Sequence, residues 1–151
     1  MEIEWQDLHH GELSAARLYQ LLALRSQVFV VEQQCVYQDI DGADLQGSNR
    51  HLLGLYEDRL LAYARILAPQ AAGEPVKIGR VIVSDEARGL SLGSRLIAQA
   101  IASCERHWPQ QPQFLSAQAH LQRFYSSAGF VAEGEVYDED GIPHIDMRRG
   151  K

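Results

Sequence analysis

Residues 76–96 read V-K-I-G-R-V-I-V-S-D-E-A-R-G-L-S-L-G-S-R-L and carry the clearest signal in the chain. The β-branched run at 81–83 predicts a strand, and apolar residues at helical spacing from Leu92 onward predict a helix. At such a junction, unpaired backbone N–H groups and the positive end of the helix dipole favour a phosphate or pyrophosphate, and Arg88 adds a cation. The alternative interpretation is an ordinary strand-to-helix connection capped by Ser91.

The composition is that of one globular domain over residues 1–151, with 46% hydrophobic residues and enough chain for a sizeable core. A net charge of −6 argues against the basic surface that nucleic acid needs. Cys35 and Cys104 are too few for a disulfide framework or a metal knuckle, so we expect two reduced core residues. Without a signal-peptide pattern or a stretch of membrane-spanning length, we expect a cytoplasmic protein that does not contact the membrane.

Turn residues and hydrophobic spacing predict the N-terminal half of the fold. Ser14 is the expected N-cap of a first helix that runs to about Phe29. A hairpin follows, beginning in the H-L-L-G-L-Y run and turning at Asp58. Residues 76–83 form the next predicted strand, in which Gly79 marks a bulge or a close backbone approach.

The C-terminal half continues with helices and strands in alternation. The helix after the quoted turn ends before Pro109, and the Q-F-L-S-A-Q-A-H run predicts a strand. A short helix ends at Gly129, and a final hairpin turns at Asp140-Gly141. This order predicts an α/β (α+β) domain, with a mixed central sheet of about six to seven strands flanked by helices and one parallel crossover at the quoted turn.

Three features together resemble one protein family: the strand-turn-helix, the F-Y-S-S-A-G-F segment at residues 124–130, and the element order. They are similar to the GNAT superfamily of N-acetyltransferases over nearly the whole chain. The phosphate turn of that family, Arg/Gln-x-x-Gly-x-Gly/Ala, corresponds here to Arg88, Ser91 and Gly93, with serine at the middle glycine. Phosphates bind there through backbone N–H groups, which serine still supplies.

A second family element adds to the resemblance. Tyr125, Gly129 and Phe130 match it, whereas Gln118 and Leu121 stand at its usual asparagine and alanine. The segments R-S-Q-V-F-V-V-E-Q, Y-Q-D-I-D-G-A-D and D-G-I-P-H-I-D-M are similar to the ElaA-like branch of the superfamily. The resemblance therefore implies the GNAT acyl-CoA N-acyltransferase fold, with the sheet splayed at the cofactor site.

The same resemblance implies acetyl-CoA as the cosubstrate and no metal. The phosphate turn would bind the pyrophosphate, and the strand before it would bind the pantetheine arm as it would an added strand. The Val81 N–H would donate to the thioester carbonyl. The residues implied in cofactor binding are Val81, Ile82, Val83, Arg88, Gly89, Leu90, Ser91, Leu92, Gly93, Ser94, Gln118 and Tyr125.

Acyl transfer from a thioester to an amine needs a proton donor for the leaving thiolate and a proton acceptor for the amine. Tyr125 is the candidate general acid, because a phenol with a pKa of about 10 holds its proton at neutral pH. Glu32, His120 and His144 are the candidate general bases. We favour Glu32, which follows the apolar V-F-V-V run, where partial burial favours a neutral carboxyl. A water relay without a dedicated base is the remaining alternative.

The leading hypothesis is an acetyl-CoA-dependent N-acetyltransferase that transfers an acetyl group to a primary amine by direct attack on the thioester. A small molecule or a peptide would supply the amine. Residues 32–44 and 140–144 would line the acceptor mouth, where their carboxylates attract a cation. A non-catalytic acyl-CoA-binding or sensory domain is the main alternative, and acyl-homoserine-lactone synthesis is a more remote one. The acceptor, the acyl length and the oligomeric state stay open, a homodimer included.

Overall fold

The computed structural model describes residues 2–89 and 91–150, which form a seven-stranded mixed sheet with helices on both faces. The strands are β1 (Glu4–His9), β2 (Arg50–Tyr56), β3 (Arg59–Leu67), β4 (Val76–Val83), β5 (Gln113–Gln118), β6 (Val131–Glu139) and β7 (Ile142–Arg149). The helices are α1 (Ala15–Arg25), α2 (Leu92–His107) and α3 (Gln122–Ser126). The sheet order is β1-β2-β3-β4-β5-β7-β6, which confirms the predicted fold class.

Helix α1 begins where the sequence predicts, because the Ser14 hydroxyl accepts a hydrogen bond at 3.1 Å from the backbone N–H three residues on. The helical backbone does not end at Phe29. A π-helical turn continues it over Ser26–Glu32, closed by a 3.2 Å bond from the Gln33 N–H to the Val28 carbonyl. This extension carries the end of the helix past the predicted boundary.

The sequence pattern did not predict the first strand, β1. It pairs antiparallel with β2 and forms one edge of the sheet. Ile3 and Trp5 pack in the core and alternate with Glu4 and Gln6, which is the period of a strand. Only two apolar residues carry this alternation among charged and polar neighbours, so the pattern was too short to stand out.

Both predicted hairpin turns are confirmed at their positions. Glu57 and Asp58 adopt φ values of 49° and 65°, and Asp140 and Gly141 adopt 52° and 81°. Two consecutive residues at positive φ give the turn whose twist matches that of the flanking strands.

The two faces of the sheet bury separate apolar clusters. Helix α2 presents Leu96, Ile97, Ala100 and Cys104 to one face, each at most 1% exposed. Helix α1 packs Leu21 on the opposite face, beside residues of β2 and β3. The two cysteines are free and buried, as predicted. None of the helices in the described part of the chain is long and apolar enough to cross a bilayer.

Strands β4 and β5 form the predicted parallel junction, with α2 as the crossover helix. They pair only at Val76–Gln113 and Lys77–Phe114 and then separate toward their carboxyl ends. This separation is the predicted splay of the sheet.

Strand β4 also carries a bulge against β3. Tyr63 pairs with Ile82 and Arg65 pairs with Gly79, so two β4 residues lie opposite one β3 residue. The two β4 residues opposite Ala64 are Arg80 and Val81. They directly follow Gly79, the glycine that predicted an irregularity in this strand.

Candidate active site

The N-terminus of α2 lies at the end of β4, after the turn that the sequence singled out. Ser91 precedes the helix, and its hydroxyl caps none of the N–H groups of the described residues. The Arg95 N–H bonds the Ser91 carbonyl at 3.4 Å, so the N–H groups of Leu92, Gly93 and Ser94 precede the first intrahelical bond. These donors suit an anion, and they argue against the alternative of a turn capped by Ser91. Leu90, also predicted to bind the cofactor, lies outside the described residues.

Two residues of this turn adopt left-handed backbone conformations. Gly89 has a φ of +90° and Ser91 a φ of 59°. The second value explains why the family pattern has glycine at this position, since a non-glycine residue there costs about 1 kcal/mol. A Cβ at Gly93 would lie 3.5 Å from the ring of Phe124 and 4.0 Å from Val83, so this glycine lies close against α3 and β4.

The Arg88 side chain, predicted as a cation beside the phosphates, already has protein partners. Its guanidinium donates to the Val83 carbonyl at 3.0 Å, to Asp85 at 3.2 Å and to Glu32 at 3.0 Å. Because 44% of the side chain is exposed, Arg88 remains accessible to an anion at the turn. Arg88 thereby holds the Glu32 carboxylate at the turn between β4 and α2.

A cavity of about 220 Å³ opens where β4 and β5 separate. Residues of both strands, α3, the β6–β7 turn and the segment after α1 contribute to its wall. Its lining residues are Phe29, Gln33, Cys35, Tyr37, Ile78, Gly79, Arg80, Val81, Leu115, Ser116, Gln118, Leu121, Tyr125, Glu139, Asp140, Ile142 and His144.

Tyr125 is buried at the wall of this cavity, with 6% of its surface exposed. Its ring packs edge-on against Phe124 and Phe130, with centroids 5.0 Å and 6.3 Å away. Burial raises the pKa of Tyr125 to about 12, so the phenol is protonated throughout the neutral range. It can therefore act as a proton donor to a group inside the cavity.

His144 lies on β7, opposite Gln118 of β5, and faces the same cavity. Its Nδ1 lies 2.7 Å from the Ile142 carbonyl oxygen. A carbonyl only accepts, so Nδ1 carries the proton and Nε2 of the neutral ring is free to accept one. Nε2 lies 3.9 Å from a carboxylate oxygen of Glu139, and the ring stacks on Tyr137 at 6.2 Å. The histidine is thus fixed in an orientation suited to a base.

The structure brings together only some of the predicted site residues. Val81, Gln118, Tyr125 and His144 line one cavity. Ile82 is buried in the α1 cluster, while Val83 packs on the α2 side. The other two candidate bases, Glu32 and His120, do not line the cavity; Glu32 is paired with Arg88, and His120 is exposed in the turn before α3.

The loop at residues 33–49, called the 33–49 loop below, contributes Gln33, Cys35 and Tyr37 to the cavity wall and is anchored by arginines. Arg25 is fully buried and binds Asp39 at 2.9 Å and Asp44 at 2.6 Å. Arg65 binds Asp41 at 2.9 Å and Asp44 at 3.1 Å. Burial opposes ionisation of Asp44, but the hydrogen bonds and charges of Arg25 and Arg65 outweigh it and lower its pKa.

The sequence did not single out Arg80 and Ser116 of the cavity wall, whereas Cys35 and Tyr37, which also line it, belong to the 32–44 segment predicted for the acceptor mouth. The acidic Y-Q-D-I-D-G-A-D segment was the available signal, because three aspartates in one loop need cationic partners if they are buried. Within residues 2–89 and 91–150, no group of three or more histidine, cysteine, aspartate or glutamate side chains is placed to hold a metal ion.

Comparison with known proteins identifies the class. The family model described as an acetyltransferase (GNAT) domain matches residues 14–150. The chain therefore belongs to the GNAT acetyltransferase family, which confirms the resemblance found in the sequence.

Individual relatives show which members of the family this chain is similar to. The chain is 60% identical over 147 residues to Protein ElaA of Escherichia coli (strain K12), covering 97% of this chain and 96% of that protein. The crystal structure of Escherichia coli ElaA superposes with a TM-score of 0.95 at 59% identity, covering 99% of this chain and 100% of the other. An acyl-CoA N-acyltransferase from Pseudomonas aeruginosa matches with the same TM-score at 50% identity, covering 99% and 100%.

Proposed function

We propose that this protein is an acetyl-CoA-dependent N-acetyltransferase that acts on a primary amine by direct attack on the thioester. The observation that carries the proposal is the cavity in the β4–β5 splay, which joins a buried phenol and an oriented imidazole in one space. The family and the acyl-CoA N-acyltransferase relative support acyl transfer as the reaction class.

The cofactor would be held mainly by backbone groups. The N–H groups of Leu92, Gly93 and Ser94 precede the first intrahelical bond of α2 and fit a pyrophosphate. From that turn, the stretch of β4 that does not pair with β5 leads along the cavity past Val81 and Gly79. A Cβ at Gly79 would meet nothing within 4 Å, so the backbone is open to an extended arm there.

The chain's own residues supply the proton transfers. The acceptor nitrogen forms a bond to the acetyl carbonyl carbon while the carbon–sulfur bond breaks, and acetyl-CoA supplies the activated acetyl group. An acceptor bound as an ammonium ion first loses one proton to solvent. As the neutral nitrogen attacks, Nε2 of His144 takes a second proton from it, and the hydroxyl of Tyr125 gives its proton to the departing sulfur. The N–H of Val81 would donate to the carbonyl oxygen as negative charge develops, a contact worth about 3 kcal/mol. Both side chains then exchange protons with solvent.

His144 replaces Glu32 as our preferred base. The imidazole lines the cavity, whereas the Glu32 carboxylate accepts a hydrogen bond from Arg88 at the cofactor turn. The role of Glu32 as a base stays a prediction that the pH experiment below decides.

The acceptor would be a small primary amine or one amine-bearing chain end. A volume of about 220 Å³ is below the usual range of ligand pockets and leaves little room beside the thioester. Glu139 and Asp140 lie at the β6–β7 turn of the cavity wall and favour a cationic amine over a neutral one.

Titration calorimetry and a thiol-release assay test the proposal. Acetyl-CoA and CoA should both bind, and CoA should be released with primary amines, most readily with cationic ones. The KM for a cationic amine should rise with salt, whereas that for a neutral amine of equal size should not. No affinity for CoA up to millimolar concentrations would refute the proposal. Binding without turnover over a broad amine panel would favour the non-catalytic acyl-CoA-binding alternative.

A further inference from the structure

Arg80 lies in the β4 bulge in a conformation that its residue type does not favour. Its φ is 51°, in the left-handed region, and the residue is neither glycine nor asparagine. A non-glycine residue keeps such a conformation only where its surroundings hold it. Here the contacts of the Arg80 side chain hold the conformation.

Two residues of the 33–49 loop, Asp39 and Tyr37, contact the Arg80 guanidinium. Nε donates to the Asp39 carboxylate at 2.7 Å, and Nη2 donates to the Asp39 backbone carbonyl at 3.1 Å. The guanidinium also lies 5.5 Å from the centroid of the Tyr37 ring, whose hydroxyl donates to Asp39 at 3.0 Å. A planar cation held in two directions cannot rotate away without breaking these contacts.

Asp39, the main partner of Arg80, is itself held in place by other contacts. Asp39 is 7% exposed and also accepts from Nε of the fully buried Arg25 at 2.9 Å. Arg65, which pairs with Gly79 across the bulge, binds Asp41 of the same loop. The loop is therefore tied to both strands that flank the bulge.

We propose that Arg80 is a positioning residue. Its ion pair with Asp39 holds the bulge in its left-handed form, and the bulge sets the backbone of Val81 in the cavity wall. The inference rests on the proposed function, in which the Val81 N–H meets the acyl carbonyl. Arg80 acts through the backbone and does not itself contact the reacting atoms.

Three substitutions separate this role from the alternatives. Arg80→Gly removes the ion pair but adopts positive φ without steric cost, whereas Arg80→Ala removes the pair and disfavours that conformation. Arg80→Lys keeps a cation without the two-directional hydrogen bonding. Arg59→Ala on β3, which removes an exposed ion pair with Glu86, is the matched control.

The expected result is a larger loss with alanine than with glycine. For Arg80→Ala, kcat should fall by about ten- to one-hundredfold while the affinity for CoA stays near that of the wild type, because the carbonyl contact is misplaced. The kcat of Arg80→Gly should be at least about tenfold higher than that of Arg80→Ala. The kcat of Arg80→Lys should lie between those of the alanine and glycine variants. The control should behave as the wild type. Equal losses in the glycine and alanine variants, with activity kept in the lysine variant, would show a direct role of the charge and overturn the inference. Unchanged kcat in both, with lowered stability only, would overturn it too.

Crystal structures of the two variants give a readout that does not depend on activity. The β3–β4 register should shift at Ala64 in Arg80→Ala and be kept in Arg80→Gly. Retention of the bulge in the alanine variant would overturn the inference. A wild-type protein that turns over no amine would contradict the proposed function, and the register comparison would still decide what holds the bulge.

Discussion

Replacing Tyr125 with phenylalanine removes one oxygen atom from the cavity and leaves the ring packing intact. The edge-on contacts with Phe124 and Phe130, at 5.0 Å and 6.3 Å, involve the rings and not the hydroxyl. With a pKa of about 12, the phenol is a proton donor at every pH at which the enzyme is expected to work. Loss of that donor should lower kcat by about 100- to 10,000-fold, or about 3 to 5 kcal/mol of barrier.

Binding and stability should change little in the same variant. The Tyr125 hydroxyl forms no hydrogen bond with another residue of 2–89 or 91–150, so phenylalanine leaves no partner unsatisfied there. The acetyl-CoA dissociation constant should stay within about twofold of the wild type. The free energy of unfolding should stay within about 1 kcal/mol.

Steady-state thiol release at saturating acetyl-CoA, calorimetry and urea unfolding measure the three quantities. Tyr19→Phe on α1, where the side chain is 78% exposed, is the matched control. In the wild type, kcat should show no loss from Tyr125 up to about pH 10, because the protonated form is lost only as the pH approaches its raised pKa. A kcat within about threefold of the wild type in Tyr125→Phe would refute the proton-donor role.

The remaining predictions concern the base, the cofactor turn and the buried ion pairs. The base must be unprotonated to act, so kcat/KM should fall on the acidic side of its pH profile. His144→Gln should abolish this acidic limb while keeping CoA affinity, whereas Glu32→Gln should retain the limb. The opposite pattern would make Glu32 the base. Gly93→Leu should abolish CoA binding in calorimetry, because the added side chain meets Phe124 and enters the turn; unchanged affinity would remove the phosphate from this site. Arg25→Met should cost about 3–5 kcal/mol in urea unfolding, since two buried carboxylates each lose one of their two arginine partners. For the same reason, wild-type stability should fall as the pH drops below about 4, where the unfolded-state aspartates protonate before the arginine-paired ones do. Flat stability from pH 5 to pH 2 would contradict this account.

The sequence was sufficient for the elements whose signal is local. The apolar positions of α2, from Leu92 to Cys104, repeat at helical spacing and are buried as that spacing requires. Ser14 caps α1, and the turn at Asp140-Gly141 has the positive φ values that its residues favour. Strand β1 has too short an alternation to be recognised in this way.

Long-range pairing could not be derived from local pattern. Glu32 was favoured as the base from its apolar neighbours in sequence, but its partner is Arg88, 56 residues away. Tyr37 and Arg80 line the cavity because Asp39 draws the 33–49 loop onto β4, and their separation in the chain gives no periodic signal. The same holds for His144, which reaches the cavity because β7 pairs with β5 and places it opposite Gln118.

The anchoring of the 33–49 loop has a consequence for redesigning this protein. Asp39, Asp41 and Asp44 are matched by cations from three separate elements: Arg25 on α1, Arg65 on β3 and Arg80 on β4. A loop transplanted from a relative could bring carboxylates that have no arginine partners in this protein. It could also lack the aspartates, which would leave Arg25, Arg65 and Arg80 without their counter-charges. The 33–49 loop of this protein is therefore exchangeable only together with Arg25, Arg65 and Arg80.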